Sequence, residues 1–305
     1  MNLVESLSLA APYLDKHGVS SPRLNAEILL CNLLGIERIE LYTNFDRPLT
    51  DVEETAYKSL LMTRARRYPL QYMTGEVGFC GLSLAVREGV FIPRPETETL
   101  VRVASDSLAD AGAGEGVRSL EVLDLGTGCG NIAVSLATSF PGAVITATDI
   151  DSGALALCRE NAGSFGVGRR VLVREGDLFA ALDEGLDARY DLIVSNPPYI
   201  PEGCREGLEP EVRDHEPGPA LFAGADGLDV VRRIVEGAPA YLKSGGWLVM
   251  EVGEDQAEGL VEDGLSDPWS LAAHYPDLGG RPRVVRARLG TLGVGAADMP
   301  PRDHR

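Results

Sequence analysis

Asn196, Pro197, Pro198 and Tyr199 place an amide side chain, a rigid backbone carbonyl and an aromatic ring in four successive residues. They follow directly on the apolar run 192–195. Neither proline has an amide hydrogen and both have a locked φ, so strand and helix stop here. The residue before each proline is kept out of the α region. An amide oxygen and a carbonyl held in this way can accept both hydrogens of a planar NH2 group, with the ring against its face. A plain strand end followed by a Pro-rich turn would use the same residue types, so the chemistry rests on the neighbours.

The second candidate stretch is Asp124-Leu125-Gly126-Thr127-Gly128-Cys129-Gly130-Asn131. Its glycines remove Cβ atoms where a ligand must approach the backbone. The spacing Gly-x-Gly-x-Gly departs from the Gly-x-Gly-x-x-Gly of pyrophosphate-binding turns, which disfavours a dinucleotide and with it a dehydrogenase. About twenty residues on, Asp149 closes the next apolar run, where a carboxylate can accept from both hydroxyls of a ribose. Asp177 can reach a purine amino group and Phe179 can face its ring. A loop carboxylate and a core aromatic are the alternative readings of those two. Together these residues describe a nucleoside site without phosphate readers, and S-adenosylmethionine fits it.

Elements that could position these residues are legible in the periodicity. Residues 1–70 read as a small helical bundle. Leu3, Leu7, Ala10, Ala11 and Leu14 share a face, and Gly18 can close that helix. Ser21 with Pro22 opens a second helix that Gly35 ends, with Leu24, Ile28 and Leu29 buried. Thr50 and Glu53 form a capping box for a third. Its apolar face is expected to be Val52, Ala56, Leu60 and Met62 or Thr63. Residues 71–90 read as a linker holding a β-hairpin around Cys80-Gly81. From 91 to 290 strands and helices alternate, as in a parallel sheet covered on both faces. Runs 272–275 and 284–289 look like a terminal antiparallel pair. Residues 112–116 form a Gly-rich loop, and residues 291–305 read as a flexible tail.

Composition narrows the partners. Net charge is −18 over 305 residues, with −2 in residues 1–90 and −16 in the rest. An acidic body repels phosphate backbones and attracts basic surfaces, which argues against a stable nucleic-acid complex. No apolar run approaches the roughly 20 residues that span a bilayer, and the N-terminus has no basic leader segment. The five cysteines, Cys31, Cys80, Cys129, Cys158 and Cys204, never fall in Cys-x-x-Cys pairs. They read as reduced thiols of a cytoplasmic protein, with no metal site expected.

Longer segments resemble a known family. Residues 124–130 resemble motif I of class I methyltransferases, and Asn-Pro-Pro-Tyr at 196–199 resembles the motif of enzymes that methylate amide or exocyclic nitrogen. More selective are Pro69-Leu-Gln-Tyr-Met-Thr-Gly-Glu76, Phe91-Ile-Pro-Arg-Pro-Glu-Thr-Glu98, the segment 219–229 and Gly279-Gly-Arg-Pro-Arg-Val284. These look like the glutamine-specific family acting on peptide chain release factors (PrmC/HemK), over roughly residues 5 to 290. Cys129 departs from it, since the family often has a second threonine there.

The resemblance implies a Rossmann-like methyltransferase domain with a mostly parallel seven-stranded sheet, preceded by a helical substrate-recognition domain and a hairpin linker. It implies methyl transfer from S-adenosylmethionine, leaving S-adenosylhomocysteine, to the glutamine amide of a Gly-Gly-Gln motif. By that resemblance Gly126, Thr127, Gly128, Cys129 and Gly130 belong to the cofactor site, with Asp149 at the ribose and Asp177 and Phe179 near the adenine. Asn196, Pro197, Pro198 and Tyr199 hold the substrate amide, and Asn196 also borders the cofactor. Release factors are the expected partner, and a monomer is expected. The competing readings are a methyltransferase of adenine or guanine amino groups, which uses the same Asn-Pro-Pro-Tyr grip on a flipped base, and a non-catalytic nucleoside-binding regulator.

Overall fold

The computed structural model describes residues 1–112, 119–183 and 188–290. The loop expected at 112–116 and the tail expected at 291–305 thus lie wholly or almost wholly outside the described residues.

The N-terminal part is helical: α1 (Leu3–Lys16), α2 (Pro22–Leu34), α3 (Glu40–Thr43), α4 (Asp51–Ala65) and α5 (Leu70–Thr74). Capping boxes open α1 and α4, through Asn2 with Glu5 and Thr50 with Glu53. Such a cap is worth about 1 kcal/mol, because it satisfies amides that the helix itself leaves unpaired. Leu3, Leu7, Ala10 and Leu14 are buried, as the spacing predicts, whereas Ala11 is only half-buried.

Three details differ from the periodicity. Ser21 sits at φ 48° and makes no side-chain cap; Asn25 Nδ2 donates to the Ser20 and Ser21 carbonyls instead. Leu24 is exposed while Ala26, Glu27, Leu29 and Leu30 are buried. In α4, Val52 and Met62 are exposed, and the buried stripe is Tyr57, Leu61, Arg64 and Ala65. The physical reason is that two charged residues point inward. Glu27 is met by Arg23, Arg38 and Tyr42, and Arg64 by Asn25 and Glu211. A pattern that sorts apolar inward and charged outward therefore misplaces the stripe on both helices.

The hairpin pairs β1 (Glu76–Phe79) with β2 (Leu82–Ala85). Both turn residues, Cys80 and Gly81, have positive φ, which matches the right-handed twist of the strands. Phe79 and Leu84 are buried in the core of the large sheet, so the hairpin packs on that sheet as well as joining two parts of the chain.

The large sheet contains β3 (Leu120–Leu125), β4 (Ala143–Asp149), β5 (Val171–Glu175), β6 (Tyr190–Ser195), β7 (Leu242–Glu251), β8 (Trp269–Pro276) and β9 (Pro282–Leu289), in the order β5-β4-β3-β6-β7-β9-β8. The first five are parallel; β9 runs antiparallel to both β7 and β8. Helices α6 (Thr97–Gly112), α7 (Asn131–Ser139) and α8 (Ser152–Ser164) supply buried residues on one face. After a short α9 (Pro210–His215), α10 (Asp229–Tyr241) supplies them on the other. Every residue of β6 is buried, as a parallel strand covered on both sides requires.

Register decides what meets at the end of the sheet. Leu125 of β3 lies beside Thr148 of β4 and Ser195 of β6, and Ser195 lies beside Met250 of β7. One residue further on, Gly126, Asp149, Asn196 and Glu251 therefore stand in a row at the strands' carboxyl ends. Chain connections diverge on either side of β3, which is where open α/β sheets bind ligands.

Candidate active site

The Gly-rich turn leaves β3 at Asp124. This carboxyl is fully buried and accepts from the Thr127 hydroxyl at 2.7 Å. Burial pushes its pKa up to about 7 against that hydrogen bond. Gly126 and Gly128 have φ of 71° and 55°, and a Cβ at either would meet nothing within 4 Å. Both border the cavity described below, so their missing side chains leave a cradle for a ligand to fill. Gly130 does different work from that expected of it. A Cβ there would lie 2.6 Å from Cys158 Sγ, so this glycine allows α8 to pack against the start of α7; it is not a lining residue.

Asp149 ends β4 with both oxygens engaged. Oδ2 accepts from Gly128 N at 2.8 Å and Oδ1 from Asp151 N at 3.0 Å. Burial raises its pKa, and these amides partly offset the rise. Each carboxylate oxygen has a second acceptor position, so the group can still take two hydroxyls of a ribose. Asp177 borders the cavity and pairs with Arg233 at 2.7 Å. Phe179 is turned away. It stacks on Tyr241 at 4.7 Å between centroids and fits against Gly237 of α10, where a Cβ would lie 2.5 Å from its ring. The apolar residue facing the cavity is its neighbour Leu178, at φ 51°. In the 3-10 turn 178–181, one residue of offset decides which side chain looks into the site.

After β6 the chain is held from several directions. Ser195 Oγ donates to the Leu125 carbonyl at 2.7 Å, locking the strand end to the Gly-rich turn. Asn196 Nδ2 donates to Thr97 Oγ1 at 3.2 Å. The Tyr199 hydroxyl donates to Glu251 Oε1 at 3.1 Å, and the Tyr199 carbonyl accepts from Gln256 Nε2 at 3.0 Å. Gly227 passes so close that a Cβ would be 2.1 Å from that carbonyl. Ile200 bridges to Phe222, which ties the segment 219–229 to the Asn-Pro-Pro-Tyr loop. Among the described residues no donor reaches Asn196 Oδ1 or the Pro197 carbonyl.

Gly126, Thr127, Gly128, Cys129, Asp149, Asp177, Asn196, Pro197, Pro198 and Tyr199 all line one cavity of about 720 Å³. Ligand sites commonly enclose roughly 300–1,000 Å³. Phe91, Arg94, Val212, Pro217 and Leu221 line the same cavity. Arg94 stacks over Phe91 and pairs with Glu216, a buried carboxylate that also accepts from Ile92 N at 3.3 Å. The lining suits S-adenosylmethionine: acceptors for a ribose at Asp149 and bare backbone at Gly126 and Gly128, while the two lining arginines among the described residues, Arg94 and Arg233, are each paired with a carboxylate.

Thr97, Glu251, Gln256 and Glu216 were not singled out by reading the residues for chemistry. Thr97 does lie inside the segment 91–98, and Glu251 is an acidic residue closing an apolar strand, the same signal that marks Asp149.

Two family descriptions match the chain, a PrmC N-terminal domain over residues 5–75 and a methyltransferase small domain over residues 97–206. A release factor glutamine methyltransferase from Geobacter sulfurreducens is 44% identical over 282 residues, covering 91% of this chain and 93% of that protein. One from Deinococcus radiodurans is 40% identical over 289 residues, covering 94% and 99%. Among solved structures, the hMettl16 catalytic domain in complex with MAT2A 3′UTR hairpin 6 is similar at a TM-score of 0.51. It is 16% identical and covers 82% of this chain and 85% of that one, a likeness that concerns the fold alone. With the helical domain, the hairpin, the methyltransferase sheet and full-length relatives in agreement, the chain belongs to the release factor glutamine methyltransferase family.

Proposed function

We propose that this protein transfers a methyl group from S-adenosylmethionine to the side-chain amide nitrogen of a release factor's Gly-Gly-Gln glutamine, with Asn196 and Pro197 as the groups that hold the amide. The observation that carries the reading is a pair of acceptors, Asn196 Oδ1 and the Pro197 carbonyl, that no donor reaches among the described residues and that line the same cavity as Asp149.

S-adenosylmethionine, when bound, supplies the methyl on a sulfonium, already activated as an electrophile. An amide nitrogen is a poor nucleophile because its lone pair is delocalised, so the protein's task is alignment. Gly126, Thr127 and Gly128 would hold the methionine part of the cofactor, and Asp149 its ribose. Asn196 Oδ1 and the Pro197 carbonyl each accept one hydrogen of the substrate NH2. That holds the amide in one orientation and favours positive charge developing on its nitrogen. Pro197 and Pro198 hold these acceptors rigid, and Tyr199 packs on the amide plane. No base is assigned, because the methylated nitrogen can lose its proton after transfer.

Arg94, Val212, Pro217 and Leu221 border the part of the cavity that receives the peptide. Residues 1–70 are assigned to recognition of the intact release factor, supported by the ion pairs from Arg64 and Arg67 to Glu211, next to Val212. Mass spectrometry of a release factor incubated with enzyme and S-adenosylmethionine tests the reading. One added methyl on the Gly-Gly-Gln glutamine is expected. A methyl found on RNA or DNA but absent from the release factor would overturn it.

A further inference from the structure

Two buried side chains under the Asn-Pro-Pro-Tyr loop take no part in the mechanism above. Thr97, at the start of α6, is fully buried, and Glu251, at the end of β7, is 1% exposed. They come from opposite ends of the catalytic domain's sequence and meet beneath Asn196 and Tyr199. We propose that Thr97 and Glu251 are positioning residues, a polar relay that fixes which face of the Asn196 amide looks into the cavity. The proposal rests on the assignment of Asn196 as the acceptor of the substrate NH2.

Glu251 Oε1 accepts from the Tyr199 hydroxyl. Oε2 is buried without a hydrogen-bond partner, and the rotatable Thr97 hydroxyl neighbours this carboxyl. A buried carboxylate oxygen left without a donor is costly, so the Thr97 hydrogen turns to it. A hydroxyl has one hydrogen and two lone pairs. With the hydrogen committed to Glu251, Thr97 offers Asn196 only a lone pair.

Asn196 must therefore meet Thr97 with its NH2, as the 3.2 Å contact from Nδ2 to Oγ1 records. The Asn196 oxygen is then left to face the cavity. Without the relay the amide could turn over. Its NH2 would then oppose the NH2 of the substrate, replacing an attraction by a clash of two donors. The same carboxyl anchors the Tyr199 ring, so a single buried group sets both side chains of the grip.

The test uses the full chain with Thr97→Val, which keeps the shape and removes the hydroxyl, and Thr97→Ser, which restores it. Two readouts are taken. The first is independent of any substrate: hydrogen exchange of the Asn196 side-chain amide, followed by NMR in protein with isotope-labelled asparagine. Slow exchange is expected in the parent protein and in Thr97→Ser, and fast exchange in Thr97→Val. Unchanged protection in Thr97→Val would overturn the relay whatever the enzyme methylates.

The second readout is turnover on a release factor with S-adenosylmethionine affinity measured by calorimetry. Thr97→Val should lose about 100-fold in kcat, the usual scale for misplacing a reacting group, with cofactor affinity unchanged and with Thr97→Ser recovering most of the rate. A loss of protection without any loss of kcat would leave the relay in place and refute the role given to Asn196. Equal kcat losses in the two variants would reduce Thr97 to a packing residue and overturn the proposal. Glu251→Gln, which keeps the volume, is the second variant. It should lower kcat in the same direction and loosen the Asn196 amide. Full retention of both would remove Glu251 from the relay.

Discussion

Glu27 and Glu251 are both almost wholly withdrawn from water, and they are treated in opposite ways. Glu27, in the helical domain, is 0% exposed and receives Arg23 and Arg38 at 2.6 and 2.7 Å and the Tyr42 hydroxyl at 2.6 Å. Burial works to raise its pKa, but those partners more than offset it and hold it below the ordinary carboxylate range. Glu251, beneath the active site, is 1% exposed; the Tyr199 hydroxyl donates to it, and among the described residues no cation pairs with it. Burial dominates there and holds its pKa above the ordinary range, against the lowering influence of Thr97, Tyr199 and the Arg283 charge; Glu96 adds to the rise. The first arrangement holds a fold together. The second keeps a costly group where it can orient others, and strain of that kind is expected at functional sites.

The largest effect is expected above Glu251. Asn196→Ala should lower kcat by about 100- to 1,000-fold, the effect of deleting one preorganised partner of the transition state. Cofactor affinity by calorimetry should be nearly unchanged. Turnover close to that of the parent would remove the site from this end of the sheet altogether.

Next come the two carboxylates themselves, as a crossed pair. Glu27→Gln should leave turnover intact and cost about 1–2 kcal/mol in denaturant unfolding. The loss is moderated because Arg23 and Arg38 are open to water and can be solvated when unpaired. Glu251→Gln should cost turnover while stability at neutral pH stays level or rises, since the ionised form is what burial penalises. If both variants lost stability and neither lost rate, the contrast drawn here would collapse.

The pH dependence follows from the same directions. Glu27 has its pKa lowered on folding, so its contribution is present above the unfolded pKa and is lost as pH falls through the folded pKa. Glu251 has its pKa raised, so its penalty grows as pH rises from the unfolded pKa through the folded one. Unfolding curves of Glu27→Gln should therefore converge with those of the parent at acid pH. Those of Glu251→Gln should diverge in its favour towards neutral pH.

A smaller effect is expected where the two regions touch. Glu211 on α9 takes Arg64 and Arg67 from the helical domain, and its neighbour Val212 borders the cavity. Glu211→Gln should raise KM for an intact release factor several-fold and that for a short Gly-Gly-Gln peptide less. Identical shifts would indicate that the clamp serves only the local fold. Smallest of all is Arg233→Ala. The Asp177–Arg233 pair is more than half exposed on both sides, so cofactor affinity should change by less than about threefold, within the 0–1 kcal/mol of surface pairs.

Much of this site is legible along the chain because its parts are local. The Gly-x-Gly-x-Gly turn, Asp149 at a strand end and the double proline after a buried strand each declare themselves by type and spacing. Where the local reading slips, the cause is a geometry that spacing does not encode. Phe179 and Leu178 differ by one position in a 3-10 turn, and only the packing of α10 against Phe179 selects which one faces the cavity. Gly130 carries the look of a lining glycine, yet the space it leaves is taken by Cys158. On α2 and α4 the partners of Glu27 and Arg64 come from other elements, so the helices sit at a rotation that their own periodicity does not give.

The class of fold and the helical segment before it follow from the sequence alone. Those depend on hydrophobic period, turn residues and contiguous motifs, all of which act over a few neighbouring positions. Tertiary packing alone brings Thr97 to Asn196 and Glu251 to Tyr199. Residues 97, 196 and 251 are brought together by the register of β6 and β7 and by the start of α6 lying over them. A hydrogen bond between them has no periodicity to announce it, because its partners are assembled by the packing of the whole sheet.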